Sequence, residues 1–116
     1  MNEENFESGK NISTFKTLID CQPLTVVSRT LLKKSGGNVT LFAFDRDQEL
    51  SEHTSPFDAM VMILEGEAVI TISSESYKLK SGEAIIMPRD EPHGVLASSA
   101  MKMLLVMIRD DKGEPK

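Results

Sequence analysis

Residues 52–66 read EHTSPFDAMVMILEG, in which a histidine, His53, precedes an apolar run that ends at Gly66. A second stretch, residues 82–93, reads GEAIIMPRDEPH and ends at His93 after another apolar run. These two histidines are the only ones in the chain. Each stretch combines a strand-like run with turn-forming Gly and Pro, so each is expected to place one imidazole beside a rigid strand. The relation between the two imidazoles decides which functions are open to the protein.

The composition is that of an ordinary globular domain, with 116 residues, 40% hydrophobic and 27% charged. This length predicts a single domain that needs no disulfide to support its core. Cys21 is the only cysteine, which excludes an intrachain disulfide and is in keeping with a reducing compartment. No apolar run approaches the ~20 residues of a membrane-spanning helix, and the N-terminus is acidic where a signal peptide is basic. We therefore expect a cytoplasmic protein with no membrane partner.

The net charge of −5 argues against a nucleic-acid partner, because affinity for phosphate backbones rests on clustered Lys and Arg. Lys33 and Lys34 form a short basic pair that we interpret as part of a solvated turn. The chain has no tryptophan and one tyrosine, so a base-stacking surface has little to be built from.

Short strand-like segments separated by Gly, Ser, Pro or Asp follow one another from residue 24 onward, a pattern typical of an all-β sandwich or barrel. Ahead of them, Phe15, Leu18 and Ile19 have helical spacing, Ser13 is a plausible N-cap and Pro23 ends the element, so we expect one short N-terminal helix. Residues 1–12 and 110–116 are expected to be flexible tails around a domain at 13–109. The predicted strands are 24–32, 39–44, 59–64, 67–73, 77–80, 83–87, 94–97 and 101–108.

The two histidine-bearing stretches resemble the paired motifs of the cupin superfamily. The first cupin motif has Gly, five residues, His, one residue, His, three or four residues, Glu, six residues and Gly. Laid onto this chain, it has His53 at the first histidine and Gly66 at the closing glycine. The remaining motif positions are occupied here by Asp47 (opening glycine), Ser55 (second histidine) and Ala59 (glutamate).

The second cupin motif has Gly, five residues, Pro, one residue, Gly, two residues, His, three residues and Asn. Gly82, Pro88 and His93 match it, whereas Asp90 stands at the inner glycine and Ala97 at the asparagine. The resemblance covers about residues 24–108, and the 15-residue gap between Gly66 and Gly82 is similar to that of small single-domain bacterial cupins. It implies a double-stranded β-helix, or jelly-roll barrel, and a homodimer.

Strand alternation places the candidate site residues on one face, which the resemblance makes the barrel interior. On that face we expect a largely apolar pocket with few polar groups, as is usual for a small-molecule site. The candidate ligand-binding residues are His53, Ser55, Ala59, Val61, Ile63 and His93.

The metal set that the resemblance implies, three histidines and one glutamate, is reduced here to His53 and His93. A single divalent ion (Fe, Mn, Ni or Zn) would therefore be weakly held, because Ala59 removes the only anionic ligand. Asp58 could substitute if the loop around Pro56 shifts by one residue, although alternation places it on the opposite face.

Seven methionines are many for a chain of this size. Flexible thioethers fill irregular gaps in a core, and strand spacing favours that interpretation; a Cu(I) site made of thioether and imidazole is the alternative. Cys21 lies outside both motifs and is interpreted as a structural thiol.

Three functions of different classes remain open. The first is a small-molecule-binding barrel with a two-histidine pocket. The second is a metal-dependent enzyme, an isomerase or dioxygenase by analogy with the cupins, with His53 and His93 as metal ligands. The third is a structural or partner-binding barrel with a closed core.

Overall fold

The computed structural model describes residues 3–110, which form two antiparallel sheets and two short 3-10 helices. The strands are β1 Val26–Lys34, β2 Gly37–Phe44, β3 Glu49–His53, β4 Asp58–Glu65, β5 Glu67–Ile72, β6 Glu75–Lys80, β7 Ala84–Met87, β8 His93–Ala97 and β9 Met101–Ile108. The larger sheet has the order β1-β2-β9-β4-β7 and the smaller one the order β3-β8-β5-β6. This is the all-β jelly-roll barrel that the resemblance implies.

The barrel interior is filled by alternate residues of both sheets. On β4, Ala59, Val61 and Ile63 are buried, with Val61 and Ile63 at 0% exposure, while the residues between them are only half-buried. Ile70 on the facing sheet is also fully buried. This period of two is what a strand with one face on a core requires, and it confirms the shared face expected for β4.

A second apolar cluster covers the outer face of the larger sheet. Leu18 and Ile19 from the N-terminal segment are buried there against Leu41 and Leu104. The helix expected at 13–21 is wrong: a 3-10 helix, Phe15–Thr17, forms there instead. A segment this short gains little from helical hydrogen bonding alone, and burial of Leu18 and Ile19 on the sheet decides its path.

The described part of the expected N-terminal tail also contacts the barrel. Residues Glu3–Ser8 form a 3-10 helix, and the Phe6 ring packs edge-on against Phe15 with centroids 6.2 Å apart. Glu7 accepts from Arg29 Nε at 2.8 Å, and this guanidinium lowers the pKa of Glu7 to about 2. These contacts differ from the expectation of a free tail. The domain boundaries at 13 and 109 stay predictions, and residues 111–116 lie outside the described residues.

Four turn positions with a positive φ correspond to the glycines of the two motifs. Gly66 and Gly82 have φ of +81° and +90°, and Asp47 and Asp90 have φ of 70° and 67°. Aspartate tolerates the left-handed region better than most residues, because its short side chain can bond locally. The backbone turns of the two motifs are therefore present, although aspartate replaces glycine at positions 47 and 90.

Within residues 3–110, no helix has the length and apolar character needed to cross a bilayer. A cytoplasmic location and the exclusion of nucleic-acid partners stay predictions, as does the homodimer.

Candidate functional site

The two histidines lie side by side at one end of the barrel. His53 ends β3 and His93 begins β8, and the two residues are direct partners in the antiparallel pairing of these strands. Their ring centroids are 4.5 Å apart with the ring planes at 66°. Residues 40 positions apart in sequence thus present adjacent imidazoles, as the motif positions predict.

Backbone carbonyls hold both imidazoles in the same tautomer. His53 Nδ1 lies 2.7 Å from Ser51 O, and His93 Nδ1 lies 3.0 Å from Glu91 O. A carbonyl oxygen only accepts hydrogen bonds, so each Nδ1 carries the proton and each Nε2 carries the lone pair when the ring is neutral. A histidine fixed through Nδ1 in this way is prepared to offer Nε2 to a metal ion or to a donor group.

The two imidazoles differ in their exposure to solvent. His53 is exposed, whereas His93 is only 5% exposed. Burial lowers the pKa of His93, the Glu91 carbonyl opposes this effect, and the neighbouring charge of His53 lowers it further. His93 is therefore neutral at pH 7, and the open side at His53 gives access from solvent.

The pair faces a small apolar cavity of about 50 Å³. Four of the predicted site residues, His53, Ser55, Ala59 and His93, line it. Their role in binding stays a prediction. The other walls are Leu50, Met87, Val95, Met103, Leu105 and Met107.

Val61 and Ile63, which were also predicted to line the pocket, lie in the packed core and are not among the residues that line the cavity. A strand rises about 3.3 Å per residue, so Val61 and Ile63 lie about 7 and 13 Å further along β4 than Ala59, on the same face. Both side chains are fully buried among other core residues. Alternation gives the correct face of a strand but not the depth at which a cavity ends.

Several cavity residues were not predicted from the sequence. Met103, Leu105 and Met107 alternate along β9, so the shared face was visible as a period of two. The pairing of β9 with β4, which brings Met107 opposite Ala59, is a long-range contact. The order of strands in the barrel was the missing information.

The loops that carry the histidines are tied together by hydrogen bonds. The Asp90 N–H donates to Ser55 O at 2.8 Å, which joins the loop after β3 to the loop before β8. Ser55 Oγ accepts from the Phe57 N–H at 3.1 Å. Ser55 therefore stabilises its own turn while its hydroxyl proton remains available to the cavity.

Two acidic residues near the pair, Asp58 and Glu91, form hydrogen bonds outside the cavity. Asp58 is exposed and its Oδ1 accepts from the Arg89 N–H at 3.1 Å, so its proposed substitution for the missing glutamate is wrong. Glu91 Oε1 accepts from the Ser73 hydroxyl at 3.0 Å. Across residues 3–110, no group of three or more His, Cys, Asp or Glu side chains is placed to hold a metal ion.

A larger groove of about 480 Å³ lies along β5 and β6 and includes Glu67 and Lys78. It is open to solvent and lacks the paired imidazoles. The small cavity is the better candidate site, because two imidazoles of fixed orientation meet there, one of them buried, and specific sites depend on a few such placed polar groups.

Comparison with known proteins agrees with this architecture. A family model described as a cupin domain matches residues 40–108, which include both histidines. The chain belongs to the cupin family. A comparison with curated proteins finds no significant match for this cupin.

Solved structures with the same fold are numerous, and several, including the following three, are similar over most of this cupin. A conserved protein of unknown function from Streptococcus pyogenes has 36% identity and a TM-score of 0.84, covering 88% of this chain and 90% of that one. A cupin superfamily protein from Desulfitobacterium hafniense has 25% identity and a TM-score of 0.83, with coverages of 88% and 94%. A Thermus thermophilus protein has 27% identity and a TM-score of 0.74, with coverages of 84% and 95%.

Proposed function

We propose that this cupin binds a single transition-metal ion through the Nε2 atoms of His53 and His93. The observation that carries the proposal is the pair of adjacent imidazoles, each held by a backbone carbonyl at Nδ1. Such outer hydrogen bonds fix ring orientation and raise the basicity of the ligating nitrogen.

The spacing of the rings is suitable for a shared ion. Two imidazoles that bind one ion in neighbouring positions at about 2 Å have ring centroids roughly 4.5 to 5 Å apart. The observed separation of 4.5 Å falls in this range. The lowered pKa of His93 also keeps that ring neutral, as ligation requires.

The cavity volume helps to choose among the three functions left open by the sequence. Pockets for organic ligands of ordinary size have volumes of about 300 to 1,000 Å³, whereas this cavity measures about 50 Å³. Such a space suits an ion with one or two waters. A closed structural core accounts for the methionines but gives no role to two matched imidazoles at its open end.

The bound ion would supply Lewis-acid chemistry to a coordinated water or a very small substrate. His53 and His93 would hold it, and the remaining coordination positions would be open on the side of His53. A metal-dependent enzyme is therefore compatible with this site, and the proposal itself concerns metal binding.

Metal titration of untagged protein, purified without chelator, tests the proposal. We expect one Ni(II) or Zn(II) per chain by native mass spectrometry, and at least tenfold weaker binding in His53→Ala, an exposed position where the fold should be unaffected. His93→Gln should weaken binding similarly, and Glu52→Gln, beside His53, is the matched control. Failure of wild type to bind any transition-metal ion, or equal binding by both histidine variants and the control, would contradict the proposal.

A further inference from the structure

Three of the seven methionines line the cavity that the histidines face. Met87 and Met103 are buried at 3% and 1% exposure, and Met107 is half-buried. Met60 and Met62, in contrast, alternate to the other face of β4. The thioethers of Met87, Met103 and Met107 therefore lie at the cavity, whereas Met60 and Met62 are not among its lining residues.

Two of these methionines flank the position of the missing carboxylate. Ala59 is the direct partner of Met87 on β7 and of Met107 on β9. Directly opposed residues in antiparallel strands have Cβ atoms about 4.5 to 5.5 Å apart. Since alanine is small, both thioethers have space above it, at the place where the cupin motif has its glutamate.

The two histidines lie across the cavity from Met87, Ala59 and Met107, on the other sheet. His53 and His93 are partners on β3 and β8, and His93 is in turn paired with Ile72 on β5. One wall of the cavity thus carries two imidazoles and the opposite wall carries thioethers. A ligand in between would contact nitrogen and sulfur donors, all of them neutral.

This donor set distinguishes between metals. Thioether and imidazole donors suit Cu(I), whereas carboxylate and water suit Mn and other hard ions. The cost of desolvating an ion increases with the square of its charge, so an apolar site costs a monovalent ion about a quarter of what it costs a divalent ion of similar size. Within residues 3–110, no acidic cluster is placed here to compensate a second charge.

We infer that the site prefers Cu(I), held by His53 and His93 together with the thioethers of Met87 and Met107. The inference rests on the proposed function, because it uses the same two imidazoles. It adds the identity of the ion and assigns a binding role to two side chains of the larger sheet.

Anaerobic titration with Cu(I) against a chromophoric Cu(I) chelator tests the thioethers. The double variant Met87→Leu/Met107→Leu keeps side-chain volume and apolar character, and Met60→Leu, on the outer face of β4, is the matched control. We expect the double variant to bind Cu(I) at least tenfold more weakly, while its Ni(II) and Zn(II) affinities change less than threefold. The control should match wild type for all three ions.

X-ray absorption at the copper edge gives a second, independent result. Wild type should show sulfur scattering in the first shell, and the double variant should show nitrogen or oxygen alone. The single variant Met107→Leu, at a half-buried position, replaces the double variant if that does not fold; because Met87 remains, it should show weaker first-shell sulfur scattering than wild type, and unchanged sulfur scattering would overturn the role of Met107.

The outcomes separate the two proposals. Equal Cu(I) affinity in wild type and the double variant, with Ni(II) or Zn(II) still lost in the histidine variants, overturns the thioether inference and leaves the histidine site in place. Failure of wild type to bind any of the three ions overturns both.

Discussion

The two ends of the barrel are built on the same strands and differ in packing. On β4, Ile63 at the far end is completely buried among other apolar side chains. Ala59 on the same face lies at the histidine end, beside a cavity of about 50 Å³. A small residue opposite long side chains leaves space, whereas a branched residue fills it. One strand therefore supports a closed scaffold at one end and a site at the other.

The same contrast is present on β8. His93, at its beginning, lies beside His53, while Ala97, at its end, is fully buried opposite Ala68 on β5. We therefore expect substitutions at the far end to change stability and substitutions at the histidine end to change binding.

The largest expected effect is a loss of stability when a side chain is added to Gly66, in the tight turn at the far end of the barrel. A Cβ on Gly66 would lie 2.3 Å from Ala100 O, and its φ is +81°, so Gly66→Ala combines a collision with backbone strain. We expect a loss of about 3 to 4 kcal/mol in the free energy of unfolding, measured by urea denaturation.

Gly82→Ala is the matched control for that turn. Gly82 has a similar φ of +90°, but a Cβ there meets nothing within 4 Å, so only backbone strain remains. The expected loss is about 1 to 2 kcal/mol. If the two variants were equally destabilised, the far end would not be closely packed at Gly66.

The next effect concerns the histidine end, where Ala59→Glu restores the acidic position of the cupin motif. An anionic oxygen donor beside the imidazoles should increase Mn(II) affinity about tenfold, or ~1.4 kcal/mol. It should also weaken Cu(I) binding, because the longer side chain occupies the space above Ala59. Both affinities are measured by competition titration.

Ala59→Gln separates charge from size in this experiment. It fills the same space without the anion, so it should weaken Cu(I) binding and leave Mn(II) affinity near that of wild type. Equal Mn(II) affinities in the glutamate and glutamine variants would show that Ala59 does not lie at the metal position.

The smallest expected effect is on the rate at which the Cys21 thiol, at the far end of the barrel, is alkylated. Cys21 is half-buried, its Sγ lies 3.4 Å from Phe44 O and 3.6 Å from Met101 O, to which its thiol proton can donate, and burial raises the pKa of the thiol above its usual range. Less thiolate is then present at neutral pH, so iodoacetamide should alkylate the folded protein several-fold more slowly than the urea-unfolded protein. Mass spectrometry follows the reaction, and equal rates would indicate an open far end.

The pattern of short strands predicted the all-β class, and the resemblance to the cupin motifs implied the jelly-roll barrel and the histidine pair. Asp47 and Asp90 show why the resemblance was informative even where it departs from the motif. Both adopt a positive φ where the motif has glycine, so the turn geometry remains although the residue has changed. The period of two along residues 58–65 likewise specified the buried face of β4.

Features that depend on tertiary contacts were not predictable in the same way. Strand β3, Glu49–His53, was missed because its sequence is mostly polar, as an edge strand with exposed side chains permits. The meeting of Met87 and Met107 at Ala59 depends on the order β9-β4-β7, which no local pattern contains. The sequence therefore predicts only part of the site. The two imidazoles are expected from the motifs, whereas the position of the thioethers depends on the order of strands in the larger sheet.

The most direct measurement of the metal-site account is the tautomeric state of both histidines, by long-range ¹H–¹⁵N NMR of the metal-free protein and again after Cu(I) is added. We predict that His53 and His93 both carry the proton on Nδ1, and that both Nε2 signals move together and stop changing at one ion per chain. A proton on Nε2 in either ring, or Nε2 signals that do not respond to the ion, would contradict it.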